Sequence, residues 1–194
     1  KNQGSHAHVA LERRGVGERV GCAREVNGKR GNVTKTGLGE DSHRFDAEES
    51  GKALVLGGVR IEGHVGLHGN SDADVVLHAL TNAVSGITGV NVLGARSDVM
   101  CLEQGITDSA GYLAEALAEL REYRLVHISV SIEARRPKLA EHIGGMRRSL
   151  ARLCSIDESD VGITATSGEG LTAFGRGEGI RATVVATAMR ADGG

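Results

Sequence analysis

An α+β fold is predicted from this sequence: a mixed or antiparallel sheet of four to five strands with helices packed on one face. Three observations carry that expectation. Segments near both ends have strand character, and three internal segments space apolar residues as helices do. The two kinds are mixed in the order β-β-α-α-β-α-β-β, with no internal repeat.

The first strand is read from "VTKTGLGEDSHRF" (33–45) and the second from "ALVLGGVRI" (53–61), bounded by Gly51 and Gly63. A helix then starts near Ser71 or Asp72, either a suitable N-cap, and runs toward Gly86 or Gly89. Val76, Leu80, Val84 and Ile87 form its core stripe, while Asp74, His78, Asn82 and Ser85 line a polar face. A second helix opens at Asp108-Ser109 and continues through "YLAEALAELREY". Next, "VHISVSIEA" sets Val126, Ile128, Val130 and Ile132 against His127, Ser129, Ser131 and Glu133, the alternation of a half-buried strand. A third helix covers roughly 139–154, and "VGITAT" and "GIRATVVATAMR" are the final strands. No strand leads through G-x-G-x-x-G into a helix, so a dinucleotide-binding fold is unsupported.

A chain of 194 residues is the size of one domain and can bury a core. Its 29 glycines and single proline suggest tight turns and close backbone approaches within a folded domain. With two Phe, two Tyr and no Trp, the core must be aliphatic and base stacking is poorly supplied. A net charge of −2 gives no general attraction for polyanions, so nucleic acid is not an expected partner. Cys22, Cys101 and Cys154 have neither zinc-ribbon nor disulfide spacing, which favours a reducing, cytoplasmic setting. No apolar run is long enough for a membrane span.

Residues 1–33 are expected to be a basic, flexible extension, and 34–192 the folded domain. Up to position 36 there are eight Lys or Arg against three Glu. The missing initiator Met suggests a fragment or processed chain. Ser5 alone and three glutamates disfavour a transit peptide.

Two constellations could do chemistry. Asp41 and His43 are two apart on a strand and so share a face, which allows either a solvent-facing polar pair or two converging ligands. His78, off the core stripe of its helix, would complete a carboxylate and two imidazoles with a vacant fourth position, a plausible catalytic zinc site. In "TATSGEGLTAFGRGEG" (164–179), hydroxyls of Thr164, Thr166 and Ser167, glycine backbone amides and Glu169 suit a diphosphate with a divalent cation. Taken alone, the stretch reads slightly better as an ordinary glycine-rich connection, with Arg176 and Glu178 paired to each other or across a subunit interface. "RRPKL" (135–139) is either a solvated basic loop or a phosphate or nucleotide contact. His64, His68, His127, His142 and Cys101 are taken as structural.

These pieces, in this order, resemble the 2-C-methyl-D-erythritol 2,4-cyclodiphosphate synthase family over about residues 34–190. The anchors are "GEDSHRF", "LVLGGVRI", "NSDADVVLHAL", "RRPKLAEHI" and "GEGLTAFGRGEGI". The resemblance implies a phosphorus–oxygen lyase of non-mevalonate isoprenoid biosynthesis. In that reaction the 2-phosphate of the substrate attacks the β-phosphorus of its own CDP group and releases CMP. It implies zinc, or manganese or another divalent metal, at Asp41, His43 and His78, and a second cation, magnesium or manganese, at Glu169. It further implies a homotrimer with interfacial active sites, in which Pro137, Lys138, Leu139, Ala165, Thr166, Ser167 and Arg176 hold the cytidine diphosphate substrate. Asn70, Ser71, Ser167 and Glu169 are then the residues at the reacting phosphates.

Four departures predict a reshaped nucleotide pocket. Asn70 replaces the family's usual histidine, and Thr166-Ser167-Gly168-Glu169-Gly170 replaces Thr-Thr-Thr-Glu-Lys. Asn91-Val92-Leu93-Gly94 replaces Gly-Asp-Ile-Gly, and "RSDVMCLEQGITDS" replaces a loop with Phe-Pro-Asp. His68 is the candidate to replace the lost imidazole. Asn70, Gly168 and Gly170 also motivate a rival reading, a non-catalytic trimer that binds metal and an isoprenoid phosphate. A metal hydrolase of nucleoside diphosphates is a third.

Overall fold

The structure, a computed structural model, describes residues 33–191. The expectation for the basic extension therefore lies outside the described residues except at Val33. Four strands, β1 (Thr34–Arg44), β4 (Tyr123–Glu133), β5 (Val161–Thr166) and β6 (Gly179–Arg190), form one mixed sheet in the order β1-β6-β4-β5. β6 is antiparallel to both β1 and β4, whereas β4 and β5 run parallel. Parallel neighbours need a crossover, supplied by α4 (Ile143–Cys154).

The nine residues "ALVLGGVRI" are a hairpin outside the main sheet, where one strand was expected. β2 (Ala53–Leu56) and β3 (Val59–Val65) pair with each other across Gly57-Gly58. Both glycines have positive φ (59° and 73°), the conformation a two-residue hairpin turn demands. Besides α1 (Val75–Thr88) and α3 (Ser109–Ala118), a helix α2 (Ala95–Leu102) occupies the segment read as a loop. β4 starts three residues earlier than read, and α4 four residues later.

Helix α1 is central to the core, with residues on nearly all sides buried. It begins at Val75 and not at Ser71 or Asp72, because Asp74 is the N-cap and accepts from Val76 N and Leu77 N. Asp74 also accepts from Gly57 N (2.8 Å) and Gly58 N (2.6 Å), which ties the hairpin turn to the helix start. The expected polar face is therefore largely interior: Asp74, His78 and Ser85 are buried, and Asn82 donates to Glu40 O.

Helix α1 packs on β1 at very short range. A Cβ at Gly37 would lie 2.0 Å from Ala83 O, and one at Gly39 2.0 Å from Ala79 O. Residues 37, 39, 41 and 43 share one strand face. The contact that needs two glycines thus continues directly into Asp41 and His43. The helices cover that face, and the opposite face, with Thr183, Val185, Leu38 and Ser129, is open; Leu38 is 67% exposed.

Candidate metal centre and nucleotide cavity

Asp41 and His43 reach up from β1 toward α1, where His78 meets them one turn from the cap. Asp41 Oδ2 lies 2.9 Å from His43 Nε2 and 2.9 Å from His78 Nδ1, and the two ring nitrogens are 3.2 Å apart. The other nitrogen of each ring is engaged elsewhere. His43 Nδ1 donates to His68 O (2.8 Å), and His78 Nε2 meets Ser109 Oγ (2.9 Å). The hydroxyl of Ser109 donates to Asp72 Oδ1, so its oxygen accepts from His78 Nε2–H.

With those tautomers, two imidazole lone pairs and a carboxylate face one point with no hydrogen of their own to share. Such a donor set requires a cation, either a proton or a metal ion. Burial by itself would raise the Asp41 carboxyl, but when the rings of His43 and His78 take up a proton on the facing nitrogens, their hydrogen bonds to it outweigh burial and hold the group far below the ordinary carboxylate range. His43 is shifted upward, chiefly by its hydrogen bond to Asp41. Among the described residues this trio is the cluster able to hold a metal ion, with ligand atoms within 4.8 Å of one another. One carboxylate with two imidazoles, backed by partners that orient both rings, suits a divalent ion such as zinc.

Asn70 and Ser71 line a small recess with His43, His78, Cys101 and Tyr112. The structure therefore brings both residues to the metal centre. Cys101 donates to Asn70 O (3.5 Å). The ring of His68 turns toward Asp46 (3.4 Å), so His68 serves the centre through its carbonyl and does not replace the imidazole absent at position 70.

The parallel pairing of β4 and β5 makes the second feature. Both strands end at the same edge, where Ala134 N donates to Thr166 O (3.0 Å). The segments that follow enclose a cavity of about 620 Å³, which gathers Pro137, Lys138, Leu139, Ala165, Thr166 and Ser167. Ligands commonly bind at such carboxyl ends of strands. Glu169 stands outside the metal cluster, and its Oε1 accepts from Ser167 Oγ (3.1 Å). Arg176 does not line this cavity and pairs with Glu178 (2.8 Å).

Gly168 has φ +67°, and a Cβ there would fall 2.2 Å from Oε1 of Glu133. Glu133 is buried at the end of β4 and accepts from the Thr172 hydroxyl. A side chain at 168 would have to displace the Glu133 carboxylate from Thr172 and adopt a strained positive φ, and both favour glycine there. A further cavity of about 400 Å³ along the β2–β3 hairpin, lined by Lys52, Arg60, His64 and Arg136 among others, contains none of the predicted site residues.

Sequence reading missed Ser109, and it gave Asp72 and Asp74 other roles. A signal for α1 packing was present in the two glycines that precede Asp41 on its own face. Nothing comparable marks Ser109, which lies 31 residues from His78.

A mixed α+β domain with an Asp-His-His cluster able to hold a divalent metal at a strand–helix contact, and a separate cavity at the carboxyl ends of β4 and β5, defines the class of protein to which the chain compares. The YgbB family profile matches residues 34–189, and the chain belongs to that family. It is 44% identical over 158 residues to the 2-C-methyl-D-erythritol 2,4-cyclodiphosphate synthase of Chlamydia felis (strain Fe/C-56), covering 81% of this chain and 90% of that protein. Among solved structures it resembles the bifunctional IspDF from Campylobacter jejuni, with a TM-score of 0.75 and 29% identity. That match covers 83% of this chain and 43% of the other. It also resembles a 2C-methyl-D-erythritol-2,4-cyclodiphosphate synthase in a CDP-bound form, with a TM-score of 0.64, 34% identity, and coverage of 79% and 99%. The family resemblance read from the five motifs is thereby borne out.

Proposed function

We propose that this chain is a metal-dependent cyclodiphosphate synthase, a phosphorus–oxygen lyase. It converts 4-diphosphocytidyl-2-C-methyl-D-erythritol 2-phosphate to 2-C-methyl-D-erythritol 2,4-cyclodiphosphate and CMP. The observation that carries the proposal is the converging Asp41, His43 and His78 donor set in a chain 44% identical to proteins of that name. The reaction forms a bond from an oxygen of the 2-phosphate to the β-phosphorus and breaks the bond from that phosphorus to the oxygen bridging to CMP. CMP departs with the electron pair. No protein nucleophile is needed, so positioning and charge neutralisation do the catalytic work.

Asp41, His43 and His78 would hold zinc, or manganese in its place, and Glu169 a second cation, magnesium or manganese, at the diphosphate. When bound, these ions supply Lewis-acid stabilisation of phosphoryl charge. Asn70 and Ser71 then orient the reacting phosphates beside the metal centre. Pro137, Leu139 and Ala165 form the apolar part of the cytidine pocket. The Lys138 ammonium and the hydroxyls of Thr166 and Ser167 bind polar and anionic groups, and Arg176 serves the same ligand from outside the cavity. The sites lie between subunits of a homotrimer. Support for assembly comes from the open sheet face, where Leu38 and Val185 are exposed on neighbouring strands. Cys101 and Cys154 form no disulfide among the described residues, which suits a reducing cytoplasmic setting.

Product analysis with the named substrate tests the proposal. Wild-type protein should release CMP and the cyclic diphosphate, and His78→Ala should lose both bound metal and CMP release. Binding of substrate without any turnover would replace this proposal with a non-catalytic ligand-binding role, and linear phosphate products would indicate hydrolysis.

A further inference from the structure

Ser109 belongs to α3 and Asp72 to the loop before α1, and neither touches the point where the donor atoms of the metal centre converge. Ser109 is fully buried. Its backbone N–H faces both oxygens of Asp72 (3.3 Å each), and its hydroxyl donates to Oδ1 of the same carboxylate. Asp72 is fixed in turn: its N–H donates to Thr107 O (2.8 Å), and its Oδ1 also accepts from Asp74 N (3.2 Å). The one hydroxyl hydrogen of Ser109 is thereby committed to Asp72. What remains for His78 Nε2, 2.9 Å away, is a lone pair on oxygen.

We propose that Asp72 and Ser109 are positioning residues that lock His78 in its Nε2–H form and so aim the Nδ1 lone pair at Asp41 and His43. A serine hydroxyl alone could donate to the ring as readily as accept from it. With Asp72 as its acceptor the direction is set. The consequence for the site follows from general coordination chemistry: a ligating imidazole must present a bare nitrogen, and outer partners that fix the tautomer typically change metal affinity about tenfold to hundredfold. Thr107 and Ser109 come directly after α2, in the segment that replaces the family's loop with Phe-Pro-Asp. The relay thus makes the metal centre depend on how that segment is seated, without contributing a ligand from it.

This inference rests on the metal-centre reading, and its test separates the two. Zinc affinity by chelator competition, Co²⁺ visible absorption and ¹⁵N chemical shifts of the His78 ring in the metal-free protein are measured on the full chain. Wild type should show one Nε2–H tautomer. Ser109→Ala and Asp72→Ala should each populate both tautomers, weaken zinc binding about tenfold to hundredfold and alter the Co²⁺ bands. Asp72→Asn keeps an oxygen acceptor for the Ser109 hydroxyl and should restore the single tautomer, with affinity within about threefold of wild type. If Ser109→Ala does not fold, the Asp72→Ala and Asp72→Asn pair decides the matter alone. Wild-type affinity and one tautomer in Asp72→Ala, or an equal loss in Asp72→Asn and Asp72→Ala, would overturn the relay. Failure of the wild-type chain to bind zinc would overturn the metal-centre reading, while the tautomer comparison would still judge the lock.

Discussion

Replacing Gly39 by alanine is the sharpest test of how the fold builds the proposed metal centre. The added Cβ would lie 2.0 Å from Ala79 O and 2.3 Å from Ala83 N, both backbone atoms of α1, so no side-chain rotation can relieve the overlap. Ordinary contact starts at 3.4 Å. The helix or the strand must therefore give way by about 1.4 Å at its closest point, or less if the displacement is shared along α1. Overpacking of this kind costs about 1–3 kcal/mol.

His78 is the residue before Ala79, so its nitrogen moves with the displaced helix. Metal sites tolerate ligand errors of only about 0.2 Å, and zinc affinity should fall at least tenfold. Urea unfolding of the metal-free protein and zinc titration by chelator competition measure the two effects separately. Gly145→Ala, within α4, is the control: its Cβ would meet only the Val59 side chain of β3, at 3.7 Å. There alanine should stabilise by about 0.5–1 kcal/mol and leave zinc affinity unchanged. A Gly39→Ala protein with wild-type stability and wild-type zinc affinity would refute the packing argument.

Two further outcomes are expected. In Asp74→Asn the amide NH₂ must face either Gly58 N–H or the three donors grouped on the other oxygen, Gly57, Val76 and Leu77. Leaving at least one buried donor unpaired should lower the urea-unfolding free energy by about 2 kcal/mol. Zinc affinity should rise with pH, because His43 is shifted upward by Asp41 and its proton must leave before a metal can bind. The slope reaches about tenfold per pH unit while that proton is displaced, and vanishes once His43 is neutral. Chelator competition across pH 5.5–9 checks this, and a flat profile would show that no proton competes.

The motif order, the strand periodicity and the paired positions of Asp41 and His43 were legible because each depends on local spacing. So was the membership of Pro137, Lys138, Leu139, Ala165, Thr166 and Ser167 in one cavity, although there the family resemblance supplied the grouping. The start of α1 was misread by two or three residues. Ser71 and Asp72 are good caps locally, but only Asp74 also meets the Gly57 and Gly58 amides of the hairpin turn. The hairpin itself was hidden because a glycine pair inside an apolar run looks like a pause in one strand.

By itself, the sequence determined which residue types were available and at what local spacing: a carboxylate and an imidazole on one strand face, a second imidazole on a helix, glycines where backbones must meet. Tertiary structure alone decided which nitrogen of each ring faces the centre. It also decided that Ser109 and Asp72 stand behind His78, and that Glu133 fills the space a side chain at 168 would need. The physical reason is that a hydrogen bond or a close approach is set by distance in space. The partners here lie up to 37 residues apart in the chain, beyond the reach of any helical or strand period.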